Sequence, residues 1–110
     1  MQPLKMYIFV KSSLPSHKMV AVAHGVLMAH RRYTSADVTS AVRDWYDIWF
    51  KSSFRKVVCE VSDEEFAKLK DEDGRVVVTE SGLDGMECAL VFCPRPEWPA
   101  HFKTYKFSPY

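Results

Sequence analysis

The chain has 110 residues, 47% of them apolar, which is enough material for one hydrophobic core but not for two. Fifteen lysines and arginines stand against fourteen aspartates and glutamates, so the net charge is only +1. No global field therefore draws the protein to nucleic acid or to an anionic membrane, and any anion site must be local.

No apolar run approaches the roughly 20 residues that cross a bilayer, and the first residues lack the pattern of a signal peptide. The cysteines, Cys59, Cys88 and Cys93, match no zinc spacing, and their odd number argues against a disulfide framework. The sequence also has no P-loop and no nucleophile elbow. We expect a cytoplasmic protein that uses no metal or cofactor and makes no membrane contact.

Four strand-like segments are apolar without a consistent alternation: residues 7–10, 56–61, 75–78 and 88–93. A strand that is apolar on both sides must be covered on both faces. Helical patterns lie between these segments in the order β-α-α-β-α-β-β. The sequence therefore predicts a single α/β domain in residues 1–95, with a four-stranded mixed sheet and helices on both faces.

The first helix is predicted from His17 to Arg32, with Ser16 as its N-cap. Apolar residues cover much of its circumference, which is typical of a helix that packs against a sheet and against another helix. Thr34 or Ser35 is the predicted cap of the second helix, whose two tryptophans recur at helical spacing and are interpreted as packing residues.

Ser62 and Glu65 form a capping box that predicts a short third helix to about Lys70, and Gly74 is placed to adopt the left-handed conformation after it. Residues 96–110 form a tail rich in aromatic residues and proline. Its apolar side chains must pack on the domain or on a second copy, and we expect a homodimer or a higher homo-oligomer.

Polar side chains gather where connections at one end of the sheet should converge. Ser12, Ser13 and Lys18 follow strand one, and Glu80 follows strand three. In open α/β sheets a ligand usually lies at the carboxyl ends of parallel strands, near a helix N-terminus whose free amides favour an anion. The start of the first helix is therefore a candidate phosphate site; the alternative is an ordinary helix cap beside a solvated loop.

Further along, His24 lies on an apolar stripe of the first helix and is either a satisfied core histidine or a ligand-contacting imidazole. Arg31 and Arg32 at the end of that helix either complement its dipole or grip a phosphate, with Tyr33 as a stacking surface. Lys51 lies in a connection of cations and hydroxyls that fits a nucleotide or RNA backbone, or a solvated turn.

Four stretches resemble the archaeal and eukaryotic type of peptidyl-tRNA hydrolase, and the likeness covers residues 5–95. Residues 5–11 with the following Leu-Pro are similar to that family's first strand and loop, and residues 20–25 resemble its small-residue first helix with an embedded histidine. Trp49 with residues 55–69 gives the closest match. Residues 79–82 and 88–94 resemble the family's Asp-Ala-Gly turn and its last strand.

This resemblance implies a four-stranded mixed sheet, dimers, and metal-free cleavage of the ester between a peptide and tRNA. In that activity Lys18 would stabilise developing charge, and His24 or Glu80 would orient or deprotonate the attacking water. The chain departs from the family's motif, however, because the lysine position falls on His17, the glutamine position on Ala21 and the aspartate position on Glu80. A methyl group cannot replace the hydrogen bonds of a glutamine amide.

These departures favour ligand binding without hydrolysis. We therefore carry two hypotheses: a non-hydrolytic binder of a phosphorylated nucleotide or a tRNA-like RNA end, and a divergent peptidyl-tRNA hydrolase. The small size fits sequestration of a nucleotide signal, as in small viral proteins that counter host defence, which would act in the host cytoplasm. The predicted ligand contacts are Ser12, Ser13, Lys18, Arg31, Arg32, Tyr33 and Lys51.

Overall fold

A mixed four-stranded sheet organises the computed structural model, which describes residues 4–105. Its strands are β1 (Lys5–Lys11), β2 (Arg55–Val61), β3 (Arg75–Glu80) and β4 (Met86–Arg95). Its helices are α1 (Lys18–Tyr33), α2 (Ser40–Lys51) and α3 (Asp63–Leu69). The predicted element order and the predicted α/β fold class are therefore confirmed.

The strand order β2-β1-β4-β3 sets the place where a site can form. β1 pairs with β2 in parallel, and β4 pairs with both β1 and β3 in antiparallel fashion. β1, β2 and β3 consequently run in the same direction, and their carboxyl ends meet at one edge of the sheet. The connections that leave these three strands are thus brought together, as the sequence predicted for those after the first and third strands.

Helices cover both faces of the sheet, which explains the apolar runs without alternation. On β1, Met6, Ile8 and Val10 point into a core shared with α1 and α2. Tyr7 and Phe9 point the other way, into a core shared with α3 and the tail. A strand with two buried faces has no solvent side on which polar residues would alternate.

The buried stripe of α1 consists of small residues. Ala21, Gly25 and Ala29 are spaced four residues apart and all face the sheet. A Cβ atom at Gly25 would lie only 2.8 Å from Val91 Cγ2, so glycine permits the close approach of the helix. The stripe that contains Val20 and Leu27 faces solvent instead, with these side chains 46% and 72% exposed.

The predicted caps of the first two helices are wrong, although α1 begins within one residue of its predicted start. Ser16 does not cap α1; the N-cap is His17, which has a φ of 69° and makes no side-chain cap, and Ser16 bonds to the His17 ring. Thr34 and Ser35 donate their hydroxyls back to carbonyls in the last turn of α1. The cap of α2 is Thr39, whose hydroxyl accepts the backbone N–H at position 42.

The predicted capping box, the left-handed glycine and the packing role of Trp49 are confirmed, and Trp45 is partly buried against the same core. Ser62 and Glu65 form both hydrogen bonds of the capping box at the start of α3, and Gly74 has a φ of 83°. Trp49 is fully buried, as expected of a packing residue.

The tail packs on the α3 face of the sheet as far as it is described. Phe102 is 1% exposed and makes edge-to-face contacts with Tyr7, Phe9 and Phe92. Residues 106–110, which the predicted tail also includes, lie outside the described residues. Within the described part of the chain, no helix is long and apolar enough to cross a membrane.

Candidate functional site at the start of helix α1

The centre of the candidate site is a hydrogen bond between His24 and Glu80. His24 Nδ1 lies 3.0 Å from Glu80 Oε2. A carboxylate only accepts hydrogen bonds, so Nδ1 carries a proton, and Nε2 is an acceptor whenever the ring is neutral. The His24 side chain is 42% exposed, whereas that of Glu80 is 12% exposed. A sheltered carboxylate thus fixes the orientation of an accessible imidazole.

Glu80 is itself held by the turn that follows β3. Its Oε1 accepts the backbone N–H of Gly82 at 3.1 Å and the hydroxyl of Ser81 at 3.4 Å. The Gly82 amide, and after it the hydrogen bond from His24, lower the pKa of Glu80 below its ordinary value. Glu80 therefore remains a carboxylate at neutral pH.

A second imidazole lies against the same turn. A Cβ atom at Gly82 would be 3.5 Å from His17 Nε2 and 3.6 Å from Glu80 Oε1. His17 occupies the N-cap of α1 without capping the helix through its side chain, and the first turn of α1 has no acidic residue. The amides of this turn carry a partial positive charge next to the two imidazoles.

Lys18 is held on the β2 side of this edge of the sheet, away from Glu80 on β3. Its Nζ lies 2.8 Å from Glu60 Oε1 on β2, and both side chains are partly buried. β2 and β3 are the two outer strands, separated by three strand spacings or about 14 Å. Lys18 and Glu80 therefore flank the start of α1 from opposite sides and are held by different strands.

The serines after β1 complete this edge. The Ser12 backbone N–H donates to the Val61 carbonyl at 2.8 Å, and the Ser13 hydroxyl donates to Asp63 at 2.6 Å. Both side chains are exposed. The Ser13 hydroxyl already has a carboxylate acceptor, so it would have to exchange that partner to contact an anion.

The other predicted contacts lie elsewhere. Arg31 and Arg32 are at the far end of α1, about 20 Å from Lys18 at 1.5 Å per residue. Arg32 is bonded to Asp37 at 3.0 Å, and Lys51 is paired with Asp47 at 3.1 Å. The seven predicted contacts thus do not converge on a single site.

The prediction of Tyr33 as a stacking surface is wrong. The residue is 4% exposed, and its hydroxyl donates to the Gly74 carbonyl at 2.8 Å. Burial is also the main cause that raises the pKa of Tyr33. The ring borders a cavity of about 420 Å³ between α1 and α2, together with Lys51 and the hydrogen-bonded pair His30 and Tyr46.

Two members of the site were not predicted in these roles. Glu60 lies inside a strand pattern, 42 residues from Lys18, and no local signal links the two. His17 was placed inside the predicted helix and not at its cap.

In residues 4–105, no three histidine, cysteine, aspartate or glutamate side chains are grouped so that they could hold a metal ion. No protein-family model matches the chain, and no curated protein matches it in sequence.

Proposed function

We propose that the protein binds a phosphorylated nucleotide or RNA end at the start of α1. The observation that carries this proposal is the composition of the helix. α1 has no aspartate or glutamate, although the whole chain is nearly neutral, and its first turn has no side-chain cap. Exposed amides at a helix start, next to the Lys18 ammonium, favour a phosphate.

The acidic residues nearby limit where the phosphate can lie. Glu60 balances much of the charge of Lys18, and the ionised Glu80 repels an anion. The phosphate is therefore best placed over the amides of the first turn, on the side of Lys18, with His24 towards the rest of the ligand. With few cations in contact, binding should be moderate and sensitive to salt.

A second candidate function, hydrolysis of a peptidyl-tRNA ester, is favoured by the contact between His24 and Glu80. His24 Nε2 would take a proton from water as the water oxygen attacks the ester carbonyl. The ribose oxygen would then leave and receive that proton from the imidazolium, while Glu80 holds the ring in place. Lys18 would stabilise developing charge only after leaving Glu60.

Two assays on the same variants separate these functions. Native mass spectrometry with a panel of linear and cyclic nucleotides measures binding, and release of N-acetylaminoacyl groups from tRNA measures hydrolysis. We expect Lys18→Ala to weaken nucleotide binding. Lys70→Ala is the matched control, because Lys70 is paired with Glu87 at 2.7 Å and the variant reports the cost of breaking an ion pair.

His24→Ala tests the second function, with His101→Ala as its control, since His101 is paired with Glu72 on the tail side of the sheet. Ester cleavage that disappears in His24→Ala alone would establish the hydrolase. Nucleotide binding without cleavage would establish the binder. Failure of the wild-type protein in both assays would refute both functions.

A further inference from the structure

The solvent-facing side of α1 forms a groove of about 340 Å³ that runs from Val20 to Arg31 and includes His24. The groove is lined by aliphatic side chains, including Val20, Leu27 and Met28. Leu27 is 72% exposed and Val20 is 46% exposed, so the groove is an exposed apolar patch and not a single exposed side chain. This surface is continuous with the imidazole of His24.

Arg31 differs from the neighbouring cations. Arg32 is bonded to Asp37, and Lys51 is paired with Asp47. The guanidinium of Arg31, in contrast, makes no hydrogen bond or ion pair with any other residue that the structure describes. It lies two helical turns, or about 10 Å, beyond His24 on the same side of α1. A guanidinium at the end of an apolar groove is suited to a phosphate.

We propose that the groove is a second phosphate subsite and that the ligand is a single oligonucleotide strand lying along α1. This inference rests on the proposed function, which places one phosphate at the start of the helix. Arg31 lies about 20 Å from that start, a distance that a mononucleotide does not span. At about 3.4 Å per stacked nucleotide, it corresponds to about six nucleotides, or fewer in an extended strand.

The aliphatic side chains between the two phosphate positions would contact base faces. Such contacts accept any base, because every base presents an apolar face. No residue of α1 itself is acidic, so repulsion of the strand comes from neighbouring elements only, chiefly from Glu80 beside His24. The groove therefore selects for ligand length and not for base identity.

The test is fluorescence anisotropy with a labelled adenosine hexanucleotide, with AMP as an unlabelled competitor. We expect the hexanucleotide to bind at least about tenfold more tightly than AMP, since one charge-assisted contact contributes on this order. Arg31→Ala should remove that advantage. For the hexanucleotide, it should also reduce the slope of the logarithm of the association constant against the logarithm of the salt concentration by about 0.7. It should leave AMP binding unchanged. Arg32→Ala is the matched control and should retain the advantage.

Leu27→Ser should also weaken binding of the hexanucleotide. Ile48→Ser, which changes another exposed aliphatic residue, should leave that binding unchanged. The inference is overturned if AMP binds as tightly as the hexanucleotide, or if Arg31→Ala binds both like the wild type; the proposed function then still stands. It is also overturned if size-exclusion chromatography shows a dimer that Leu27→Ser converts to monomers. If neither probe binds, both proposals fail.

Discussion

Replacing Gly25 by alanine tests the close packing that positions α1 over the sheet. The added Cβ atom would lie 2.8 Å from Val91 Cγ2 and 3.5 Å from Val78 Cγ2. Carbon atoms prefer separations of about 3.5–4.0 Å, so the first contact is too short by about 1 Å. Either Val91 must rotate, or α1 must move away from β4.

Two opposing contributions set the size of the change in the free energy of unfolding. Alanine has an intrinsic helix advantage over glycine of about 1 kcal/mol. Overpacking of a core costs about 1–3 kcal/mol. We therefore expect Gly25→Ala to lower the free energy of unfolding by about 1 kcal/mol, measured by urea denaturation.

A double-mutant cycle with Val91→Ala isolates the clash. Once the Val91 methyl groups are gone, the helix advantage of alanine should remain without its penalty. Gly25→Ala should then stabilise the Val91→Ala background although it destabilises the wild type. If Gly25→Ala raises the free energy of unfolding of the wild type by its full helix advantage, the packing argument is wrong.

Three further predictions follow from burial and charge. The fold lowers the pKa of Glu80 below its ordinary value of 4.5. The stabilisation that this carboxylate provides is therefore complete above pH 4.5 and is lost as the pH falls through the lower pKa of the folded state. The stability difference between wild type and Glu80→Gln, followed by urea denaturation from pH 6 to pH 3, should shrink towards pH 3; a constant difference would contradict this. Phe102→Ala should cost about 3–5 kcal/mol, because the ring is fully buried; a loss under 1 kcal/mol in urea denaturation would show that the tail is dispensable. Burial raises the pKa of Cys59 to about 11 and of Cys93 to about 12, so a thiol reagent at pH 8 should label the native protein far more slowly than the urea-unfolded protein; equal rates would refute the burial.

Signals that lie within a few residues of each other were readable from the sequence. The capping box of α3 involves only Ser62 and Glu65, and Gly74 needs only its own backbone conformation. The order of helical and strand patterns sufficed for the fold class, since strands with two apolar sides require cover on both faces. The meeting of the connections at one edge followed from that order.

Features that depend on competition between neighbours were not readable. Thr34 and Ser35 are good cap residues, but their hydroxyls bond backwards to the end of α1, and Thr39 caps α2 instead. Apolar residues cover much of the circumference of α1, and the sequence did not show that the side with Gly25, which permits the close approach, would face the sheet.

Contacts between residues far apart in the chain also could not be predicted from the sequence. The pairing of Lys18 with Glu60 joins residues 42 positions apart. In the sequence, Tyr33 cannot be distinguished from an exposed stacking residue. In the structure its hydroxyl donates to the Gly74 carbonyl and its ring is buried. Such outcomes depend on how the helices dock, which no local pattern encodes.

The most direct test of the central claim is a titration of ¹⁵N-labelled protein with AMP, followed by two-dimensional NMR. Binding at the start of α1 should shift the backbone amides of Lys18, Met19 and Val20 and that of Gly82, which lies against His17. Shifts confined to the cavity around His30 and Tyr46, or no shifts at millimolar AMP, would contradict the claim.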